Sequence, residues 1–336
     1  MDSSTIPSPF VVKMLEGARD QGYNLERTLS DCGIAPSVLK ETRARITFRQ
    51  LSDLSLALME LMDDESYGLL DRPSRCGSFK HACYSALNGS TVESAMGLLA
   101  EFSNLMDLGL VFQVVAARDT RQYRLIRRPG ARIRNSYAIE HILLNHHRTL
   151  CWMADEPIPV LRVDLDYPAP EYAGAYRPMF YNAPVHFGQK YVALTFSETS
   201  MTLPIVKNLK QLNQFLQAMP LTLLSQAIAA RTLSAQLRAW LERRLRETQT
   251  MPSIDEAAQQ FDLHPQTFRR ALKKEGLTFQ ALKMQIRRDL AVDYLNTRTD
   301  SIETIAQTLD FSETSAFIRA FKSWTGFTPL AFRKLC

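Results

Sequence analysis

The stretch that decides the fold is "AQQFDLHPQTFRRALKKEG", residues 258–276. It carries Phe268, Ala271 and Leu272 at helical spacing, so on a wheel of about 100° per residue they share one face. The opposite face is rich in hydrogen-bond donors: Gln266, Arg269, Arg270 and Lys273. A basic amphipathic helix of this kind usually faces solvent, and a second observation is needed to decide whether this one meets a partner.

That second observation is an internal repeat. The segment "AQTLDFS" (306–312) resembles "AQQFDLH" (258–264) at a spacing of 48 residues. The matches continue downstream at spacings of 49 and 50 residues: Arg270 with Arg319, Lys273 with Lys322, and Gly276 with Gly326. Two copies with the same Arg and Lys placement favour a shared function over chance exposure of single side chains.

Each copy begins with the sequence pattern of a helix start. Ser253 is followed three residues later by Glu256, and Asp300 by Glu303, which is the spacing of a capping box. These caps predict two short helices, over 254–261 and 302–309.

A turn and a second helix complete each copy. Asp262 or Asp310 lies in the turn, and the following helix runs to Gly276 or Gly326, the usual residue just past a helix end. Two helices joined by a short turn, the second one basic, form a helix-turn-helix. Between the copies, "TFQALKMQIRRDLAVDYLNTR" predicts a connecting helix with a regular apolar stripe: Leu282, Ile286, Leu290 and Leu295.

The charge distribution agrees with a polyanion partner for this part of the chain. Residues 231–336 hold 17 Lys and Arg against 12 Asp and Glu, whereas residues 1–230 hold 23 of each. The whole excess of the 336-residue chain, a net charge of +5, therefore lies in its last third.

The segment "SIETIAQTLDFSETSAFIRAFKSWTGFTPLAFRKL" resembles the C-terminal signature of AraC/XylS-type transcription regulators, and the resemblance covers residues 234–336. It implies two helix-turn-helix units, with the first recognition helix at 264–274. Arg270 and Arg319 match base-contacting positions, and Gln266 and Ser315 match positions that also commonly reach bases.

The chain departs from that family pattern in its turns and in its second helix. Asp262 and His264 stand where small Gly and Ser residues are common, and Asp310 stands where Gly is frequent. Aspartate tolerates the left-handed backbone conformation better than most residues, so we expect both turns to form. Ala316 and Ile318 leave the second recognition helix with few polar side chains, which predicts weaker base reading there.

The rest of the chain predicts an α+β domain. Residues 10–107 have mostly helical periodicity, "LGLVFQVVAA" and "RQYRLIRR" predict a hairpin, and "VLRVDLDY", "VHF" and "YVALTF" predict short strands around a helix "SYAIEHILLNHHRTLCWMA". "YRPMFYNAPVHFG" and the ending "MTLPI" resemble, more loosely, an arabinose-binding-type effector domain. The predicted domains are 1–206 for effector sensing and dimerisation, 207–232 as a helical linker, and 233–336 for DNA binding.

Two features outside the repeat leave alternatives open. Leu221, Leu224 and Ile228 form an apolar stripe that either packs on its own domain or pairs with a second copy. His147 and Cys151 share a helix face, which suits a metal pair, a nucleophile–base pair, or a structural or pocket role, the interpretation favoured here.

Catalytic and cofactor motifs are absent from the sequence, so no enzyme activity, metal or cofactor is predicted. The five cysteines form no C-x-x-C, which argues against a zinc ribbon or a disulfide framework. The start of the chain lacks the basic and apolar regions of a signal peptide, and no run of about eighteen apolar residues occurs. We expect a cytoplasmic protein without a membrane partner.

The sequence therefore predicts an α+β domain followed by an all-α domain with two helix-turn-helix units, in a sequence-specific transcription regulator, expected to be an activator. Its predicted partners are double-stranded promoter DNA, a second copy in a homodimer, a small-molecule effector and RNA polymerase. An adaptor that keeps the helix-turn-helix fold without binding DNA is the alternative. The predicted DNA contacts are Gln266, Arg269, Arg270, Lys273, Lys274, Ser315, Arg319 and Lys322.

Overall fold

The computed structural model describes residues 4–180, 183–221, 223 and 232–335, with the side chain of residue 178 left out. Contacts divide the chain into two compact units. The first, here the helical unit, comprises Met1–Val11, Glu26–Asp53 and Ala230–Cys336. The second, here the sheet unit, comprises Val12–Leu25 and Leu54–Ala229.

The described residues form seven strands and sixteen α-helices in chain order. The strands are β1 Thr5–Pro7, β2 Arg45–Thr47, β3 Leu110–Ala117, β4 Thr120–Arg127, β5 Arg162–Asp164, β6 Val185–His186 and β7 Val192–Ser197. The helices are α1 Ser8–Asp20, α2 Leu25–Asp31, α3 Phe48–Met62, α4 Ser78–Ala86, α5 Val92–Leu105, α6 Ser136–Ala154, α7 Tyr176–Met179, α8 Glu198–Met201, α9 Leu209–Gln217, α10 Leu233–Thr248, α11 Ile254–Gln260, α12 Pro265–Lys274, α13 Phe279–Thr297, α14 Ile302–Thr308, α15 Thr314–Thr325 and α16 Pro329–Arg333. None of them is long and apolar enough to cross a membrane.

A five-stranded sheet organises the sheet unit, in the order β3-β4-β7-β5-β6. The predicted hairpin is confirmed, since β3 and β4 pair antiparallel from Leu110 opposite Arg127 to Ala117 opposite Thr120. Arg118 adopts a left-handed φ of 52° in the tight connection between them. The inner strand β7 is buried from Val192 to Phe196, as expected of a strand covered on both faces.

Helix α6 is the central helix of the sheet unit. Asn135 caps its start by accepting a hydrogen bond from the Tyr137 backbone amide, and Asp155 ends it in the left-handed conformation. Apolar side chains such as Leu143 and Met153 are completely buried. Its span, Ser136–Ala154, is the one that the sequence predicts, and the α+β fold class of this part of the chain is confirmed.

The connecting helix α13 forms the core of the helical unit. Its predicted stripe is buried, with Leu282 3%, Ile286 0%, Leu290 0% and Leu295 2% exposed. The strands β1 and β2 pair antiparallel and belong to the same unit. Residues from both ends of the chain therefore build one core.

A buried polar cluster joins these distant segments. Asp289 on α13 is 3% exposed and accepts hydrogen bonds from Thr5 Oγ1 at 2.5 Å and Arg238 Nη2 at 2.9 Å. Arg288 Nη2 lies 2.9 Å from the same carboxylate and Arg45 Nε 3.9 Å from it. Burial alone would raise the pKa of Asp289, but these guanidinium groups and the Thr5 hydroxyl more than offset it and hold the pKa below its usual value.

The contacts thus divide the chain differently from the sequence-based division, because 1–11 and 26–53 group with the C-terminal helices. The functional division into 1–206, 207–232 and 233–336 stays a prediction. Of the apolar stripe that either packs on its own domain or pairs with a second copy, Leu224 and Ile228 lie outside the described residues, and Leu221 is 39% exposed.

Candidate nucleic-acid interface

The first helix-turn-helix unit comprises α11 and α12. Its predicted capping box is present: Ser253 Oγ accepts from the Glu256 amide at 3.2 Å, and Glu256 Oε2 accepts from the Ser253 amide at 2.6 Å. The box satisfies backbone amides that the first turn of α11 leaves without helical partners.

The second unit comprises α14 and α15, and its predicted cap is wrong by one residue. Ser301, not Asp300, caps α14, because its extended backbone lets the hydroxyl accept from the Thr304 amide at 3.0 Å. Asp300 lies one residue too early, and its carboxylate instead faces Arg298 at 3.7 Å. The helix itself, Ile302–Thr308, lies within the predicted span.

Both turns form around a left-handed aspartate, as predicted. Asp262 has a φ of 52° and Asp310 a φ of 59°. The second turn is also held from outside, because Arg287 of α13 donates to the carbonyl oxygens of Leu309 and Asp310, each at 2.9 Å. Arg287 also donates to the Asp310 carboxylate at 2.6 Å.

The first recognition helix, α12, begins immediately after His264. The His264 Nδ1 accepts a hydrogen bond from the Gln266 amide at 3.3 Å, and Pro265 occupies the first helical position. Proline suits that position because its missing amide hydrogen has no helical partner to lose. The unusual turn residue His264 is therefore a helix cap.

The inner face of α12 is anchored by aromatic packing. Phe268 is 0% and Leu272 1% exposed. The Phe268 ring lies 5.9 Å from the ring of Phe261 and 6.5 Å from that of Phe279, measured between centroids. The helix cannot rotate without exposing these side chains, so the orientation of its outer face is fixed.

The outer face of α12 carries cations without partners. All five predicted contacts are exposed: Gln266, Arg269, Arg270, Lys273 and Lys274. None of the four cations forms an ion pair among the residues that the structure describes. The nearby carboxylate of Glu275 is engaged elsewhere, because it accepts from the backbone amides of Leu233 and Ser234 at 3.1 and 2.9 Å. The basic face of α12 is thus left unneutralised.

The second recognition helix, α15, has the same arrangement with fewer donors. Phe317 and Phe321 are completely buried, while Trp324 is half-buried beside Phe311. The predicted contacts Ser315, Arg319 and Lys322 are all exposed. The Ser315 hydroxyl donates to the Glu313 carboxylate at 3.0 Å, so one potential base contact lies next to a negative charge.

The His147–Cys151 pair contacts the backbone of the segment that follows α6. The His147 Nε2 lies 2.8 Å from the Ile158 carbonyl oxygen, and the Cys151 Sγ accepts from the Ile158 amide at 3.4 Å. Burial raises the pKa of Cys151 to about 12 and lowers that of His147 to about 4. Both side chains are therefore neutral at pH 7 and hold the segment after α6 in place.

Sequence reasoning missed the polar residues of α13. Arg287 and Asp289 lie inside the apolar stripe that predicts this helix, and Arg287 fixes the second turn while Asp289 fastens β1 and β2. The sequence signal for this cluster was the carboxylate of Asp289, next to the stripe position Leu290. It does not show which residues Asp289 contacts, because Thr5 and Arg238 lie far from it in the sequence.

Paired helix-turn-helix units beside an α+β domain define a class of two-part transcription regulators. The model of the arabinose-binding domain of AraC transcription regulators matches residues 22–205, and a helix-turn-helix domain model matches residues 257–335. The first match spans more than half of the chain, and the chain therefore belongs to the AraC family of transcription regulators. The matched domains indicate a DNA-binding, non-enzymatic role.

Two bacterial relatives that match in sequence agree with this assignment. The chain is 22% identical over 331 residues to the ornithine utilization regulator of Pseudomonas aeruginosa, covering 98% of this chain and 96% of that protein. It is 38% identical over 81 residues to the regulator VirS of Mycobacterium tuberculosis, covering 24% of each. The solved structure of the regulator CdpR from Pseudomonas aeruginosa is 19% identical, with a TM-score of 0.34 and coverage of 97% of this chain and 98% of that one.

Proposed function

We propose that this protein binds specific promoter DNA through α12 and α15 and regulates transcription there, as an activator. The observation that carries the proposal is the pair of helices with matched basic faces. Each helix buries apolar side chains, including at least one phenylalanine, on one side and exposes on the other side cations that form no ion pair with any described residue. A helix held in this way presents donors to the major groove in a fixed orientation.

The exposed side chains suit different parts of DNA. Arg270 and Arg319 can bond guanine bidentately, and Gln266 can bond adenine, whereas lysines neutralise phosphates as point charges. We assign Gln266, Arg269 and Arg270 to bases, and Lys273 and Lys274 to phosphates. In α15, Arg319 is assigned to a base, with Ser315 as a weaker contact, and Lys322 to a phosphate.

Two recognition helices on one unit would enter successive major-groove segments about 34 Å apart. One chain would then read an asymmetric site of roughly 15–20 base pairs. A homodimer would need two such sites, directly or inversely repeated. Sedimentation of the full chain as a monomer at high micromolar concentration would contradict the dimer.

The remaining assignments rest on family membership. The domain that matches the arabinose-binding model supports a small-molecule effector in this part of the chain. A relative matched over 26% of this chain is the urease operon transcriptional activator of Escherichia coli, which favours activation and, with it, a contact with RNA polymerase. We therefore expect the protein to act in the cytoplasm.

The decisive experiment is a gel shift of the full chain on the DNA upstream of its own coding sequence. We expect Arg270→Ala to weaken binding to that DNA by about 1–3 kcal/mol, since a bidentate base contact is lost. Binding to random DNA should change much less. Arg27→Ala is the matched control, because it removes an exposed arginine of α2 in the same unit.

One result would contradict the base contact of Arg270, and another would contradict DNA binding itself. An equal loss on specific and random DNA would make Arg270 a phosphate contact. Absence of any shift, for this DNA and for a genomic fragment library, would leave a helix-turn-helix fold without DNA binding.

A further inference from the structure

A cavity of about 250 Å³ lies inside the sheet unit. It is lined by the end of α3, by α4, α5 and α6, by β3, and by the chain around the end of α9. Its volume is close to the lower end of the roughly 300–1,000 Å³ range of small-molecule sites.

Most of the cavity wall is apolar. Phe79 of α4, Phe102 of α5, Phe112 of β3 and Ile142 of α6 represent this part of the lining. Such a wall favours a ligand that gains by leaving water, because burial of apolar surface is the main driving force available here.

Of the charged groups that line the cavity, the carboxylate is already hydrogen-bonded and the ammonium lies exposed at the rim. Both carboxylate oxygens of Glu65 accept backbone hydrogen bonds, from Gly77 at 2.7 Å and from Phe79 at 2.8 Å. Lys80 is exposed at the rim, with its ammonium 5.5 Å above the Tyr84 ring. Burial lowers the pKa of His141 to about 4 and that of His146 to about 3, so both imidazoles are neutral at pH 7. A charged ligand would lose its hydration without gaining a dedicated counter-charge.

One polar pair in the lining keeps open hydrogen-bonding capacity. Asn145 Nδ2 donates to His141 Nε2 at 2.9 Å, and this bond places the imidazole hydrogen on Nδ1. Within the described residues, neither that Nδ1 nor the Asn145 Oδ1 has a partner. Both side chains are half-buried and line the cavity. Together they offer one donor and one acceptor to a bound molecule.

The segment after α9 connects the cavity to the rest of the chain. Leu216, Met219 and Pro220 border the cavity, and the chain continues from there to α10 of the helical unit. Phe215 stacks on Trp152 at 4.3 Å between ring centroids, which fastens α9 to α6. A bound molecule would touch the stretch of chain that leads into the helix-turn-helix region.

We propose that this cavity is the effector site, and that it takes an uncharged, mainly apolar small molecule whose single polar group bonds His141 and Asn145. The inference rests on the proposed function in one respect: the bound molecule is an effector only if the protein regulates transcription. The binding site itself does not depend on DNA binding, so the two are tested separately.

The test measures binding by the full chain without DNA. The probe is N-phenyl-1-naphthylamine, an uncharged molecule whose fluorescence rises in apolar surroundings. We expect one saturable site. Three competitors with a similar chain but different heads then displace it: octan-1-ol, octanoate and octylammonium. Octan-1-ol should act at a concentration at least about tenfold lower than either ion, because only the ions must give up hydration of a charge.

Variants locate the site. Ile142→Trp fills the cavity and should abolish probe binding, whereas the control Ile126→Trp changes a half-buried β4 residue outside the cavity and should not. Asn145→Leu keeps the volume and removes the polar group, so octan-1-ol should lose about fivefold or more in potency while the probe changes less than about threefold.

Several outcomes would overturn the inference. These are failure of the wild-type chain to bind the probe, stronger displacement by either ion, or unchanged probe binding in Ile142→Trp. If Ile142→Trp does not fold, the Asn145→Leu comparison decides alone, and an unchanged potency of octan-1-ol would contradict the assigned polar contact. Loss of the gel shift with intact probe binding would refute the regulator and leave the binding site standing.

Discussion

At the scale of single residues, the two turn aspartates have the same backbone conformation but differ in the contacts of their side chains. Asp262 and Asp310 share the left-handed conformation, with φ of 52° and 59°. Of the two, only the carboxylate of Asp310 has partners among the described residues: it accepts from Arg287 at 2.6 Å and from the Met251 amide at 3.2 Å. The pair therefore separates a backbone effect from a side-chain effect.

Glycine substitutions should reveal this difference. Glycine removes a left-handed backbone strain of about 1–2 kcal/mol, but it also increases the entropy that the chain loses on folding, at a cost of roughly 0.5–1 kcal/mol. Because these effects oppose each other, Asp262→Gly should change the unfolding free energy by less than about 1 kcal/mol. Asp310→Gly should destabilise by about 1–3 kcal/mol, because the half-buried Arg287 loses its charged acceptor and keeps only the two backbone carbonyl oxygens. Urea unfolding of both variants checks this, and equal effects would show that the Arg287 contact contributes nothing.

A second prediction at this scale concerns acid stability. The pKa of Asp289 is lower in the folded chain than in the unfolded one, so its contribution is present above the ordinary value of 3.8 and is lost as pH falls through the lower folded value. Asp289→Asn should cost about 3–5 kcal/mol at pH 7, since the half-buried guanidinium groups around this site lose their buried counter-charge. Most of this difference in stability between the wild type and Asp289→Asn should remain at pH 5, and it should become smaller below pH 4.

Urea titrations across this pH range measure it. The exposed Asp255→Asn serves as control and should change stability by less than about 1 kcal/mol. A difference between wild type and Asp289→Asn that grows as the pH falls below 4 would contradict the assigned sign.

At the scale of secondary-structure elements, the caps give a sharp comparison. Ser301→Ala should cost about 1 kcal/mol, because α14 loses the acceptor of the Thr304 amide. Asp300→Ala should cost less than about 0.5 kcal/mol, since its exposed pairing with Arg298 is weak. Thermal unfolding of the two variants decides between Ser301 and Asp300 as the cap, and the reverse order would restore the sequence-based assignment.

Elements whose signals are local could be predicted from the sequence. The repeat, the capping box at Ser253, the hairpin and the span of α6 all follow from patterns within about twenty residues. The cap of α14 was placed one residue early because Asp300 and Ser301 are both good caps, and only the backbone conformation chooses between them. The exposure of Arg270 and Arg319 followed from periodicity together with the repeat.

Long-range features could not be predicted in this way. The contact between Thr5 and Asp289 spans 284 residues, and no periodicity in either segment encodes it. The cavity is equally hidden, because helical spacing puts His141 and Asn145 on one face of α6 but does not show which elements surround that face. The fold class and the exposed faces of α12 and α15 can thus be predicted from local sequence patterns. The unit boundaries and the cavity cannot, because they depend on contacts between distant residues.

At the scale of the whole molecule, the charge distribution predicts a salt-dependent affinity. The three lysines assigned to phosphates, Lys273, Lys274 and Lys322, imply a slope of about −3 or steeper in a plot of log K against log salt concentration. Replacing Lys273 and Lys274 together with alanine should make the slope less negative by about 1.8. Fluorescence anisotropy with labelled promoter DNA measures both slopes, and a flat dependence for the wild type would argue against DNA binding.

The joining of Thr5 and Asp289 in one core also bears on the order of synthesis. A ribosome adds roughly 5–20 residues per second, so the partner of Thr5 emerges about 15–60 s after Thr5 itself. During that interval β1 lacks its buried contact with α13, while the sheet unit, which lies between Thr5 and Asp289 in the sequence, is translated. Nascent chains of this protein acquire a complete helical unit last, and a chain cut short before residue 289 lacks the partner that buries its first strand.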